Sequence, residues 1–256
     1  METQQPERRL AKTVAPVYHA DNDVFDQIFF EKVCSQAVFL KGLEVKTMET
    51  SKNAAESGVS FEIIFVGRSN VGKSSLLREL FGAKVRVGKR PGVTLRPAHA
   101  QISDLLITDM PGFGFMSGVK DRKQDIVKDK TVHYIEDNAK KIKLGVLVID
   151  GPAFPQIVDR WDSRDQIPID VEMFDFLREV GIDTIIAANK MDKVKENEYD
   201  HLLDEIAARL GLEPPWQNWK HIIAPISAKK GDLKALKGLL RERLHEMKRD
   251  DLFKYV

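Results

Sequence analysis

Short, uninterrupted hydrophobic runs alternate along this chain with segments in which apolar residues recur at helical spacing. Six runs predict β-strands, at residues 61–66, 100–102, 105–108, 144–149, 184–188 and 222–226. Five segments predict helices, at residues 73–80, about 123–138, 171–180, 199–210 and 233–247. Continuous apolar runs of this length are typical of strands that are buried on both faces.

The alternation of strands and helices predicts an α/β fold with a mostly parallel six-stranded sheet flanked by helices. The runs at 100–102 and 105–108 are so close in sequence that we interpret them as an antiparallel hairpin at one edge. Residues 1–58 lack the alternation. They predict an N-terminal extension that is partly disordered or helical, followed by a folded domain at 59–250.

Composition limits the functional classes without selecting one. The chain has 256 residues, of which 43% are hydrophobic, so it can bury a sizeable core, and its net charge of +1 requires neither a nucleic-acid nor a membrane partner. The single cysteine, Cys34, excludes an intrachain disulfide and is interpreted as a small core residue. No apolar run approaches the ~20 residues of a membrane span. We therefore expect a cytoplasmic protein with no membrane partner.

The segment GRSNVGKSS, residues 67–75, has the signature of a phosphate-binding loop between a strand and a helix. Its glycines allow backbone N–H groups to point inward, where the start of the next helix adds positive potential. Lys73 is expected to reach the β- and γ-phosphates, and Ser74 to offer its hydroxyl to Mg²⁺. The predicted loop residues are Gly67, Arg68, Ser69, Asn70, Val71, Gly72, Lys73, Ser74 and Ser75.

The segment DMPG, residues 109–112, follows a predicted strand and supplies an acidic group for the same site. A carboxylate at the end of a neighbouring strand lies beside the phosphate loop in this architecture. We expect Asp109 to hold Mg²⁺, through water, and Gly112 to donate its backbone N–H to the γ-phosphate. On its own the DxxG pattern also fits an ordinary turn.

Two further motifs at strand ends, NKMD at 189–192 and SAK at 227–229, indicate which base is bound. Asp192 can accept hydrogen bonds from N1–H and the 2-amino group of guanine, whereas adenine offers neither donor and would leave the carboxylate unpaired. Asn189 is expected to brace the loops and to reach the edge of the base. The stems of Lys190 and Lys229 would sandwich the ring, and the Ala228 N–H, beside Ser227, would face the guanine oxygen. The pair argues against a P-loop kinase or ATPase.

In this order the motifs are those of small GTP-binding domains, and finer features narrow the resemblance. Together with GRSNVGKSS, the segments RPGVT at 90–94, DMPGFGF at 109–115, HYIEDNAK at 133–140 and VIDG at 148–151 resemble the EngB (YihA/YsxC) family of ribosome-assembly GTPases. HYIEDNAK and VIDG resemble its archaeal branch, within the TrmE-Era-EngA-EngB-like superfamily. The resemblance runs from about residue 61 to the C-terminal helix.

The resemblance implies a P-loop NTPase G domain that hydrolyses GTP to GDP. It also implies a nucleotide-controlled role in large ribosomal subunit assembly, with the subunit or its precursor and their rRNA as partner. We expect a monomer. The alternative is a slow-turnover, GDP/GTP-dependent binding module that regulates a non-ribosomal partner.

The catalytic groups are less regular than the binding groups. Thr94 is the candidate switch threonine, with its hydroxyl on Mg²⁺ and its N–H on the γ-phosphate in the GTP state. Phe113 stands where many GTPases have a water-orienting glutamine, so another group must act or hydrolysis must be slow. The resemblance implies that Asn70 marks potassium activation, in which K⁺ stabilises the developing charge. Alternatively, Asn70 only caps the loop.

Three segments are candidate contact surfaces. Residues 84–96 carry five basic and no acidic side chains, which suits an RNA backbone or a solvated loop. Phe113 and Phe115 would dock a partner in the GTP state, or fold into the core in the GDP state. Trp216 and Trp219 could stack on bases, but we favour a role in covering the edge of the core.

Overall fold

The computed structural model describes residues 61–82, 97–113 and 121–256, with the side chains of residues 121–125 left out. Several predictions lie outside these residues. They concern the extension at 1–58 with Cys34, the basic segment at 84–96 with Thr94, and Phe115.

Six strands form one sheet in the order β2-β3-β1-β4-β5-β6. The strands are β1 (Phe61–Val66), β2 (Ala98–Ile102), β3 (Leu105–Asp109), β4 (Ile142–Asp150), β5 (Thr184–Asn189) and β6 (Ile223–Pro225). All neighbouring pairs are parallel except β2 with β3, which forms the antiparallel edge hairpin. The predicted mostly parallel six-stranded sheet is confirmed.

Six α-helices connect or follow these strands within the described residues. They are α1 (Lys73–Phe81), α2 (Asp121–Asn138), α3 (Phe154–Asp162), α4 (Ile169–Glu179), α5 (Glu196–Arg209) and α6 (Lys234–Glu246). Short 3₁₀ turns lie at Gly151–Ala153, Met191–Lys193, Trp216–Trp219 and Asp250–Tyr255. Within these ranges no helix combines the length and apolar character that crossing a bilayer requires.

The sequence pattern did not predict α3. Gly151, Pro152 and Pro155 are typical of a turn. Pro155, however, lies in the first turn of the helix, where a residue's N–H has no partner within the helix, so the missing N–H of proline costs nothing. Phe154 and Val158 are buried against the sheet, and this packing holds the nine-residue helix in place.

The sheet separates two hydrophobic cores. Because side chains alternate along a strand, Ile63 and Phe65 of β1 face a core formed with α1 and α6. Ile64 and Val66 face the other core, which α3, α4 and α5 cover. Trp216 belongs to the second core with 7% of its surface exposed, so it covers the core edge as favoured and is not a base-stacking platform.

Candidate nucleotide-binding site

All predicted site motifs within the described residues begin where a parallel strand ends. The phosphate loop follows β1, DMPG begins at the last residue of β3, NKMD at the last residue of β5, and SAK begins two residues after the end of β6. The carboxyl ends of parallel strands lie at one edge of the sheet, which is where α/β folds bind ligands. The topology therefore brings the four motifs together.

Two glycines of the phosphate loop are required by backbone geometry. Gly67 has φ +149° and Gly72 has φ +99°. A Cβ on Gly67 would lie 2.3 Å from the Val148 main-chain oxygen, and a Cβ on Gly72 would lie 2.4 Å from Asn189 Nδ2. Gly72 also provides no side-chain cap for α1, so the N–H groups of the first helical turn remain available for an anion.

Lys73 and Asp109 form a buried ion pair at the centre of the site. Lys73 Nζ lies 3.5 Å from Asp109 Oδ1, and the two side chains are 7% and 1% exposed. Burial lowers the pKa of Lys73, while the neighbouring Asp109 charge opposes that shift. Burial also raises the pKa of Asp109, against the effects of Lys73 and Ser74. A bound polyphosphate would compete for the same lysine.

Asp109 is suited to a divalent cation. Both of its carboxylate oxygens are buried and make no hydrogen bond of normal geometry within the described residues. No group of three or more His, Cys, Asp or Glu side chains is placed to hold a metal in that part of the chain. The arrangement thus suits an ion whose other ligands are hydroxyl, water and phosphate oxygens, as Mg²⁺ prefers.

The phosphate loop is hydrogen-bonded directly to the end of DMPG. Ser69 N–H donates to the Phe113 carbonyl at 3.0 Å, and Phe113 N–H donates to the Gly67 carbonyl at 3.4 Å. A Cβ on Gly112 would lie 2.8 Å from Ser69 Oγ, so only glycine allows this approach. The Phe113 side chain is 1% exposed and packs in the core, and its docking to a partner in the GTP state stays a prediction.

Asn189 joins the phosphate loop to the SAK segment. Its buried Nδ2 donates to the Val71 carbonyl at 2.8 Å, and its Oδ1 accepts the Ala228 N–H at 3.0 Å. In this structure the Ala228 N–H is directed to Asn189, and its contact with the guanine oxygen stays a prediction. A buried amide oxygen needs a donor, and Ala228 provides it.

Asp192 is exposed, so its carboxylate is accessible to a base. Its Oδ1 accepts a hydrogen bond from Ser227 Oγ at 2.5 Å, which is the main cause of a lowered Asp192 pKa. The hydrogen bond orients the Asp192 carboxylate and favours its ionised form. Ionised carboxylate is the form that accepts two hydrogen bonds from guanine.

Lys190 is anchored by a residue that motif reasoning did not assign. Its Nζ donates to the Asn70 carbonyl at 2.9 Å and pairs with Asp150 Oδ2 at 2.5 Å. The ammonium is therefore held at the phosphate loop, which leaves the aliphatic stem to pack against a base. Asp150 is the last residue of β4. In the sequence analysis it appears only within the VIDG segment, with no role of its own.

Asn70 has an evident backbone role. It is exposed and has φ +69°, a left-handed conformation that asparagine tolerates better than most residues. This geometry agrees with the alternative that Asn70 caps the loop.

Arg68 contacts a second carboxylate that no motif contains. Arg68 Nη1 lies 3.8 Å from Asp170 Oδ2, in the first turn of α4, and the Asp170 side chain is 3% exposed. Burial, more than any other effect, raises the pKa of Asp170 to about 7, although Arg68 opposes the shift and Asp150 adds to it. Asp170 lies 102 positions after Arg68, so no local sequence signal could have identified the pair.

Comparisons with known proteins agree with this geometry. A family model described as 50S ribosome-binding GTPase matches residues 62–190. A probable GTP-binding protein EngB from Methanosarcina barkeri is 93% identical over 209 residues, which are 82% of this chain and all of that protein. A probable EngB from Halorubrum lacusprofundi is 52% identical over 197 residues, covering 76% of this chain and 95% of that protein.

Among solved structures, a crystal structure of a probable GTP-binding protein engB is similar to this chain with a TM-score of 0.66 and 48% identity. The match covers 72% of this chain and 99% of that one. High identity over nearly the whole length of these relatives leaves no doubt about the family. This chain belongs to the EngB family of GTP-binding proteins and is a GTPase.

Proposed function

We propose that this GTPase is a nucleotide-controlled switch in large ribosomal subunit assembly. The GTP state binds a precursor particle, and hydrolysis to GDP releases it. The observation that best supports a switch is the pair of backbone hydrogen bonds between the phosphate loop and Phe113. Because DMPG meets the γ-phosphate in this architecture, a change of nucleotide alters the contacts of Gly112 and Phe113 with the phosphate loop. The description of the matching family model supports the ribosomal partner.

The base-binding roles proposed from the sequence fit the contacts of the NKMD and SAK segments. Asp192 accepts the N1–H and 2-amino hydrogen bonds of guanine, and the stems of Lys190 and Lys229 sandwich the ring. Asn189 keeps the two loops together through Val71 and Ala228. The Ala228 N–H reaches the guanine oxygen by sharing its hydrogen with Asn189.

The phosphate-binding roles centre on Lys73, which exchanges its contact with Asp109 for the β- and γ-phosphates. Ser74, Thr94 and Asp109 would hold Mg²⁺, and the orphaned oxygens of Asp109 support this assignment. When bound, Mg²⁺ neutralises charge on the β- and γ-phosphate oxygens. Gly112 N–H and Thr94 N–H then hold the γ-phosphate.

Asn70 is proposed to bind K⁺ near the α- and γ-phosphates, since Phe113 provides no polar group to orient water. Turnover should be faster in KCl than in NaCl at equal ionic strength. The matched variant is Asn70→Gly, because glycine keeps the left-handed backbone and removes only the amide. We expect Asn70→Gly to bind GDP normally and to lose the difference between the two salts. Equal wild-type rates in both salts would leave Asn70 as a loop cap.

Single-turnover GTP hydrolysis, with and without ribosomal particles, tests the proposed function against the binding-module alternative. The switch predicts that large subunits or their precursors change the hydrolysis rate at least several-fold. Small subunits serve as the matched control and should leave the rate unchanged. A rate that is slow and indifferent to all particles would favour a module with a non-ribosomal partner.

A further inference from the structure

A groove of about 550 Å³ runs along the outer side of α6 and is not part of the nucleotide site. It begins at Gly231, two residues after the SAK segment, and continues along the helix. Its polar lining comes from Asp232, Lys234, Lys237 and Arg241, with Gly238 between the cations. Spacings of three and four residues place these three basic side chains on one helical face.

Gly238 is the unusual residue of this groove. It lies in the interior of α6, where glycine is disfavoured relative to alanine. A Cβ on Gly238 would meet nothing within 4 Å, and its φ is not in the left-handed region. Nothing in the described residues therefore requires glycine here. A molecule that lies close to the helix backbone at this point would require it.

The basic side chains of the groove are available for an anion. Lys234 and Arg241 are exposed, and Lys237 is half-buried. Within the described ranges, the ion pairs of α6 are made by Arg243 and His245, neither of which lines the groove. Arg241 donates one hydrogen bond to the Val256 main-chain oxygen at 2.9 Å and keeps further N–H groups.

Acidic groups lie near both ends of the groove, with Asp232 and Glu79 at its start and the exposed Glu242 four residues after Gly238. Asp232 is close enough to Tyr199 of α5 that, after burial, it helps to raise the pKa of that tyrosine. Glu79 of α1 approaches Gly231, since a Cβ there would lie 3.2 Å from Glu79 Oε1. Among the residues that line the groove, Lys234, Lys237 and Arg241 outnumber the single acidic residue Asp232, so the lining carries a net positive charge.

We propose that this groove binds the phosphate backbone of RNA, with one strand lying over Gly238 and its phosphates contacting Lys234, Lys237 and Arg241. The proposal rests on the proposed ribosomal function, because a ribosomal particle would present RNA as the polyanion that this surface contacts. Lysine and arginine neutralise successive phosphates, and the absent Cβ lets the strand approach the helix. An acidic protein segment is the competing occupant and is tested below.

The test measures binding to RNA extracted from large ribosomal subunits, over a range of salt concentrations. The first variant is Lys234→Gln/Lys237→Gln. Its matched control is Lys140→Gln/Lys141→Gln, which removes the same charge from two exposed lysines after α2. We expect the groove variant to lose about tenfold in affinity and its log–log salt slope to fall by about 1.4, since each single-strand phosphate contact contributes ~0.7. The control should match wild type, and all variants should bind GDP equally.

Gly238→Ala separates binding from folding. Because alanine favours helix and meets no clash, the thermal midpoint of unfolding should stay equal to that of wild type or rise. RNA affinity should nevertheless fall several-fold, because the new methyl group occupies the place of the strand. A variant that is stable and binds RNA as tightly as wild type would overturn the proposal.

Other results overturn the proposal in distinct ways. If wild type does not bind the RNA, the proposal is wrong. It is also wrong if the groove variant and the Lys140/Lys141 control variant bind the RNA equally tightly. If poly-glutamate competes through the same lysines better than RNA does, the occupant is an acidic segment. If RNA binds through the groove but no particle co-sediments in either nucleotide state, the groove stands and the ribosomal function fails. If particles co-sediment with GTP and the groove variant binds RNA as wild type does, the ribosomal function stands and the groove proposal fails.

Discussion

We propose that a single carboxylate, that of Asp192, selects the nucleotide. The side chain is exposed and oriented by Ser227, and guanine would satisfy it whereas adenine would not. Asp192→Asn replaces an acceptor with a donor at the position of the 2-amino group. We expect GTP affinity to fall at least 100-fold, about 3 kcal/mol, and xanthine nucleotides to bind better than guanine nucleotides.

The measurement is a competition titration of GDP, XDP and ADP against a fluorescent nucleotide. Lys193→Gln, which alters an exposed side chain next to Asp192, is the matched control and should retain wild-type preference. If Asp192→Asn keeps full selectivity for GDP, the assignment of Asp192 to the base is wrong.

Asp170 gives the protein a pH dependence with a definite sign. Its pKa is raised from 3.8 to about 7, chiefly by burial, with Arg68 and Asp150 as the charged neighbours. Between these values the folded state holds a proton that the unfolded state has released. The stabilising contribution is therefore complete below about pH 4 and is lost as the pH rises through 7.

We expect the free energy of unfolding of wild type to fall, relative to that of Asp170→Asn, by about 1–4 kcal/mol between pH 4.5 and pH 8. Urea unfolding of both proteins at several pH values measures this difference. Parallel pH profiles would show that Asp170 ionises in the folded state as freely as in the unfolded chain.

Motif residues were predictable at this scale because each acts within a short, recognisable segment. Asp150 and Asp170 were not, because they act on Lys190 and Arg68 from distant parts of the chain. The same holds for Glu62, which is buried in β1 and accepts hydrogen bonds from Thr108 and from Tyr134 Oη. The run FEIIFV indicates a strand but not the partners of its charge.

The phosphate loop works as an element only because its backbone follows a path that side chains would block. Gly72→Ala would place a methyl group 2.4 Å from Asn189 Nδ2, and the φ of +99° adds strain. We expect nucleotide affinity to fall at least 100-fold because the link between the loop and Asn189 is disrupted.

Gly82→Ala is the matched control for this prediction. Gly82 also has positive φ, +64°, but a Cβ there would meet none of the described residues within 4 Å. Its cost should be limited to about 1 kcal/mol of backbone strain, with GDP affinity unchanged. Calorimetric titration of GDP into both variants decides the matter, and equal affinities would show that the contact with Asn189 is unimportant.

Secondary structure was predictable wherever the hydrophobic period was strong, and five of the six helices and all six strands were found. The exception, α3, has too many turn-forming residues at its start, and only packing against the sheet decides its conformation. Boundaries shifted by a few residues. The clearest shift is in β4, which starts at Ile142 and ends at Asp150 because pairing with its neighbours extends it.

At the scale of the whole molecule, we propose that the GTPase domain is independent of the N-terminal extension at 1–58. The Methanosarcina barkeri relative is matched in full by 209 residues, 11 more than residues 59–256 contain, which supports a domain that needs no more than those 209 residues. A variant that starts at residue 59 should bind GDP with unchanged affinity and unfold in one transition. A large loss of GDP affinity would show that the extension contributes to the site.

The central claim is that the nucleotide controls binding to the large ribosomal subunit. Sedimentation of the whole protein with separated subunits and their precursors, in a non-hydrolysable GTP analogue or in GDP, tests it most directly. We predict that the protein pellets with the large subunit or its precursor in the GTP-like state only. Pelleting in neither state, or equally in both, would contradict the claim.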